Sequence, residues 1–125
     1  KLGGFDENFF LYFVDYDLCR RIIANKKSII QLHDVKVRHE HGNIKIKNKI
    51  KKIFIRNYHF TYDELYYYYK INKHHEKFQY LKKKIIKYIF KAIINCFSLR
   101  INQCVYYFAK IIAYYKFKKL LNQKH

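Results

Sequence analysis

Residues 28–39, SIIQLHDVKVRH, decide how this chain is read. Ser28–Leu32 is a short apolar run, and Val35–His39 alternates apolar with polar side chains. A period of two places alternate side chains on one face of an extended chain. Both runs are therefore expected as short strands, the second half-exposed. Gly42-Asn43 follows as a turn signal and leads into the basic run Lys45–Lys52. Upstream, the apolar run of residues 8–13, NFFLYF, fits a buried strand or a helix, because periodicity alone does not separate them. From Asp15 the pattern becomes helical. Leu18, Cys19, Ile22 and Ile23 make one stripe, Asp15 and Asp17 suit the N-terminal end, and Asn25 with the lysines after it suits the stop.

The remainder reads as helix. Phe54 to Tyr69 is rich in aromatic residues and carries a candidate capping box at Thr61 and Glu64. After the polar break Asn72–Glu76, apolar residues recur at steps of three and four. They are Phe78, Leu81, Ile85, Tyr88, Ile89, Ala92, Ile93, Cys96 and Phe97, with Lys84, Lys87 and Lys91 on another face. A stretch from about Gln103 to Leu121 repeats the style. There is no proline, and the three glycines are Gly3, Gly4 and Gly42. Turns must therefore fall largely at Asn, Asp and His positions.

Length and charge bound the function. The chain has 125 residues, enough for at most one modest core, and a formal net charge of +18. All nine acids lie at or before Glu76, and four of them fall in the first seventeen residues. Residues 77–125 hold twelve Lys or Arg and no acid. Such a field suits an anionic partner: a membrane surface, a nucleic acid or a phosphate. Heavy use of Lys, Ile, Asn and Tyr is also what a biased coding composition produces. The three cysteines, Cys19, Cys96 and Cys104, are odd in number and lack a CxxC spacing, which argues against a disulfide framework or a zinc site. No uninterrupted apolar run has the length of a bilayer span.

The acidic front carries a resemblance. Gly3-Gly4-Phe5-Asp6-Glu7, the aromatic run Phe9–Phe13, Asp15-Tyr16-Asp17-Leu18-Cys19 with Arg20 and Arg21, then Ile29-Ile30, Asp34 and Val37-Arg38-His39-Glu40-His41-Gly42 follow one another in order. With a looser Arg56-Asn57, this series resembles the C-terminal half of the catalytic domain of family 2 glycosyltransferases, of the bacterial rhamnosyltransferase-like kind. The resemblance implies an α/β chain. Residues 1–57 would be the C-terminal part of a GT-A catalytic domain, and residues 58–125 a basic amphipathic helical tail. It implies transfer of a sugar from a nucleotide-sugar donor to a glycan or lipid-linked acceptor in surface polysaccharide synthesis.

In that reading Asp15 is the base that takes the acceptor proton, since an ordinary aspartate is ionised at neutral pH. The plainer reading of Asp15 or Asp17 is a helix cap. Gly3, Gly4, Asp6, Glu7, Asp17 and Arg21 would contact acceptor or donor. His39 would lie by a divalent metal, Mg²⁺ or Mn²⁺, that neutralises the leaving diphosphate; the plainer reading of His39 and His41 is exposed strand. Val14 stands where the family has Glu, and Lys26 where it often has Gly. The nucleotide-binding half is not seen, so the expectation is a piece cut off upstream and inactive alone. Cytoplasmic placement, peripheral on the inner face of the cell membrane, would follow from a lipid-linked acceptor. The competing reading is a non-catalytic basic helical module that binds anionic membrane or nucleic acid. No nucleic-acid motif is present and the front acids oppose that partner, so nucleic acid and a purely structural or interaction role are minor readings. For the tail, attachment to the membrane and packing on a catalytic domain stand level.

Overall fold

The structure is a computed structural model that describes residues 2–38 and 46–123. Four helices follow in order: α1 Val14–Ala24, α2 Lys49–Lys70, α3 His74–Phe97 and α4 Ile101–Asn122. Among the described residues there is no strand. This corrects the α/β expectation and, with it, the GT-A sheet. Residues 28–32 and 35–38 have no regular structure, and Ile29, Ile30, Leu32, Val35 and Val37 are exposed. The physical reason is partnership. A strand of four or five residues is stable only when a neighbour completes its hydrogen bonds and covers its apolar face. Among the described residues neither is present around this segment.

The helix boundaries follow local chemistry. α1 begins and ends where the sequence places it. α2 starts well before Phe54, because the Asn48 side chain accepts a hydrogen bond from the Lys51 N–H and caps the helix there. Thr61 therefore lies inside α2, where it is buried, and is not a cap. Residues 57 and 58 both lie within this unbroken helix.

Three helices end in the same way. Beyond α1, α2 and α3, Lys26, Asn72 and Leu99 take left-handed backbone angles (φ 55°, 56° and 55°). The N–H groups of Lys27, Lys73 and Arg100 reach back to the carbonyls of Ile22, Tyr68 and Asn95. These bonds satisfy carbonyls that the helix ends would otherwise leave open. Of the three, only Asn72 is a residue that adopts this conformation readily.

Residues 71–73 and 98–100 are too short to do anything but reverse the chain, so α2, α3 and α4 run up, down and up. α4 packs closely on both other helices. The core lies towards one end of the bundle, where Leu65, Leu81, Ile85, Tyr114 and Phe117 are buried together. Phe117 is fully buried and meets the rings of Tyr62, Tyr69 and Phe78.

The N-terminal segment is fastened to the bundle by one carboxylate. Asp63, fully buried on α2, accepts hydrogen bonds from the backbone N–H groups of Phe10, Leu11 and Tyr12 at 2.9–3.2 Å. Phe9 packs edge-on to Tyr66, and Phe10 stacks on His59 at 3.6 Å. An Asp63→Ala variant removes the acceptor for all three donors. It should lower stability by about 3 kcal/mol, read from denaturant midpoints. Amide exchange should rise in residues 9–17 while α3 and α4 keep their protection.

Candidate functional site

The residues singled out at the front come together, and they engage one another. Arg21, one turn beyond Asp17 on α1, donates Nε–H to Asp17 Oδ2 at 2.8 Å. Its other nitrogens donate to the carbonyls of Leu2 and Gly4. Gly3 sits at φ +67°, which lets the chain turn beneath that guanidinium. Lys70, at the last turn of α2, reaches Asp6 at 2.6 Å and Asp17 at 2.8 Å. Asp6 also accepts from the N–H and side-chain amide of Asn8 and from the Tyr66 hydroxyl. Asp17 is fully buried. Its second oxygen accepts no hydrogen bond and faces Arg20 at 3.6 Å.

The remaining candidates stand apart from this clasp. Asp15 is exposed at the first turn of α1, and Glu7 is exposed beside the cleft lined by Phe10, His59 and Lys116. His39, the expected metal neighbour, lies outside the described residues, as does His41. Among the described residues no three His, Cys, Asp or Glu side chains group as a metal would need. The most buried front carboxylate, Asp17, already faces three cations, whose charge would repel Mg²⁺ or Mn²⁺ from it.

Sequence reading missed Lys70 and Asp63. Both act across more than fifty residues, and no spacing rule connects them to the acids and loop they hold. The signal that was present is the clustering of acids itself, in a chain with cations to spare.

A second feature lies at the far end of α3. Its inward face, with Leu81, Ile85, Tyr88 and Ala92, meets the bundle. Its outer face carries Ile86, Ile89, Phe90, Ile93, Ile94 and Phe97, all exposed. These six fall at steps of three and four, so they form one stripe on the solvent side. The periodic series read from the sequence mixed the two faces, since Ile89, Ile93 and Phe97 belong to the outer one. Phe97 is 86% exposed and Leu99, in the turn, 84%; Ile101 and, on α2, Ile50 are exposed nearby. Lys82, Lys83, Lys87 and Lys91 are also exposed on α3. Among the described residues no helix is long and apolar enough to cross a membrane.

Compared with known protein families, curated proteins and solved structures, the chain matches none. The resemblance to family 2 glycosyltransferases is therefore corrected: no family model supports it, and the described residues have helices and irregular backbone where that fold has strands.

The clasp has a pH signature. Burial works against ionisation of Asp6 and Asp17, but the Lys70 hydrogen bond, joined by Asn8 for Asp6 and by Arg21 for Asp17, outweighs it. Both carboxyls are held below the usual carboxylate range. Burial likewise opposes the charge on Lys70, and its bonds to Asp17 and Asp6 outweigh that and raise its pKa. The carboxylates thus stabilise the fold fully above the ordinary value of about 4, and that stability is lost as pH falls through their depressed values. The Lys70 share is present below the ordinary lysine value and lost as pH rises through its raised one. Lys70→Met should cost about 3 kcal/mol at pH 7 by leaving Asp6 and Asp17 short of a counter-charge. Its stability should also fall less steeply than wild type between about pH 4 and pH 2. Denaturant melts across that range check both, and an unchanged acid slope would remove Lys70 from the clasp.

Proposed function

We propose that the chain is a basic helical module that docks on an anionic lipid surface through the outer face of α3 and the α3–α4 turn. The observation that carries this reading is the stripe Ile86–Phe97, exposed along the solvent side of α3 beside exposed lysines. A helix that is apolar on both faces is ordinarily covered on both. The bundle covers one. A bilayer interface covers the other, taking apolar side chains to the level of the acyl boundary while lysines stay among the headgroups.

Charge selects the occupant. From residue 77 onward there is no acid, so a second copy of this chain would bring lysine against lysine. Anionic lipid instead attracts each lysine near the surface by about 1 kcal/mol. A nucleic acid would meet the same lysines, but the apolar stripe would then face its phosphates. Leu99 supports the lipid reading independently. A leucine in a left-handed turn costs about 1 kcal/mol, and exposing its side chain forfeits burial as well. The Arg100 N–H bond to the Asn95 carbonyl offsets the backbone cost within the fold. The lost burial is not offset there, and a lipid surface that takes in the turn recovers it.

Sugar transfer with Asp15 as base draws only on that residue's exposure. Its expected companions Gly3, Gly4, Asp6, Asp17 and Arg21 are held by one another and by Lys70.

Co-sedimentation with phosphatidylserine vesicles tests the proposal. Wild-type protein should bind these and not phosphatidylcholine vesicles, and binding should weaken as salt rises. Phe90→Ser with Phe97→Ser should keep the helix content, since both rings are exposed, and weaken binding at least about tenfold. Leu99→Gly should raise stability by about 1 kcal/mol while it weakens vesicle binding. Unchanged binding by the Phe90 and Phe97 variant would overturn the reading.

A further inference from the structure

Beside the apolar turn, α2 and α4 leave an open groove of about 540 Å³ between their N-terminal halves. Lys49, Lys52 and Arg56 line it from α2, and Asn102, Gln103 and Tyr106 from α4. We infer that this groove binds a phosphate group, the phosphomonoester of an anionic lipid headgroup. The lipid as its source rests on the docking reading above; the phosphate chemistry rests on the groove alone.

Three features support it. The first is charge. Three cations converge on one groove with no carboxylate in its lining, and among the described residues none of the three is in an ion pair with a carboxylate. Elsewhere the same fold spends its acids on its cations: Lys70 has Asp6 and Asp17, Lys77 has Glu64, and Arg21 has Asp17. Lys49, Lys52 and Arg56, spaced at three and four on α2, are brought to one side and left with mutual repulsion. A dianion relieves that repulsion, and a phosphomonoester carries a charge near −2 at neutral pH.

The second is donor chemistry. Arg56 offers a planar fork that matches two phosphate oxygens, and the lysines offer point charges. The side-chain amides of Asn102 and Gln103 and the Tyr106 hydroxyl add uncharged donors on the opposite wall. Asn57, also at the groove, is tied by its amide to the Ile53 carbonyl and stays part of the helix wall.

The third is place. Asn102 and Gln103 line both this groove and the shallow cleft formed with Ile50, Leu99, Arg100 and Ile101. The phosphate site therefore adjoins the apolar turn that enters the lipid. Insertion of that turn brings the groove to headgroup level, where a phosphomonoester is found and an acyl chain is not.

The test titrates the full chain with inorganic phosphate at pH 7.5 and follows the Arg56 Nε–H and the Asn102 and Gln103 side-chain amides by NMR. The expected result is saturable shifts at these groups, at least tenfold weaker with dimethyl phosphate, a monoanion. The shifts should be lost in Arg56→Gln with Lys52→Gln and weakened in Arg56→Lys, which keeps the charge and loses the fork. Small, non-saturating shifts at lysines throughout the chain, unchanged by these substitutions, would overturn the proposal.

A vesicle arm separates the sources. At matched surface charge, phosphatidic acid should be bound several-fold more tightly than phosphatidylserine, and the Arg56 and Lys52 variant should abolish that preference. Saturable phosphate binding without the preference upholds the groove and assigns it to free phosphate, which overturns the lipid source. The Phe90 and Phe97 variant should lose vesicles and keep the phosphate shifts. If it keeps both, the docking reading fails and the groove stands.

Discussion

Phe117 meets aromatic rings from α2 and α3 at one end of the bundle, and the position of that joint governs the rest. With Leu65, Leu81, Ile85 and Tyr114 it concentrates the buried apolar area where α2 ends, α3 begins and α4 ends. Burial there supplies most of the driving force for holding three helices together. Further along α4, Ala109 and Ala113 are fully buried, while Ile86, Ile89, Phe90, Ile93, Ile94 and Phe97 on α3 stay exposed. The far half of α3 is thus gripped on one side only. An apolar stripe on its other side is a consequence of sequence that this fold does not use internally.

The acids at the front answer a different need. A chain with net charge +18 repels itself, and a short apolar segment such as residues 9–13 adds little burial of its own. Asp63 compensates by accepting three backbone donors at once, and Lys70 links Asp6 to Asp17 so that α1 and the loop before it are held at the end of α2. The two anchors lie two turns apart on α2. Together they make the N-terminal segment part of one folded unit with the bundle.

Much of the helical architecture was legible because a 3.6-residue period sustained over twenty residues is a strong signal, as at residues 78–97. α1 was legible for the same reason, with Asn25 as its stop. Residues 28–38 were not, because alternation over four or five residues fits a strand only if some other segment pairs with it, and pairing is a long-range property. That one expectation, joined to the order of short acidic and glycine motifs, led to a sheet-based fold. At the site, the clustering of Asp6, Asp17, Arg21, Gly3 and Gly4 was visible, but their partner Lys70 was not. The outer stripe of α3 was also written in the sequence. It was merged with the inner one because a helix apolar on both faces yields hits at three and four from either side.

The central claim is that the outer face of α3 and the adjoining turn meet the lipid. Methyl NMR of the full chain on phosphatidylserine vesicles that carry a nitroxide in the acyl chain reads this directly. The account predicts strong broadening at Ile86, Ile93, Ile94, Leu99 and Ile101, with Leu65, Ile85 and Ile111 spared. Broadening centred instead on Ile29, Ile30 and Leu32, or absent from α3 altogether in protein that is bound, would contradict it.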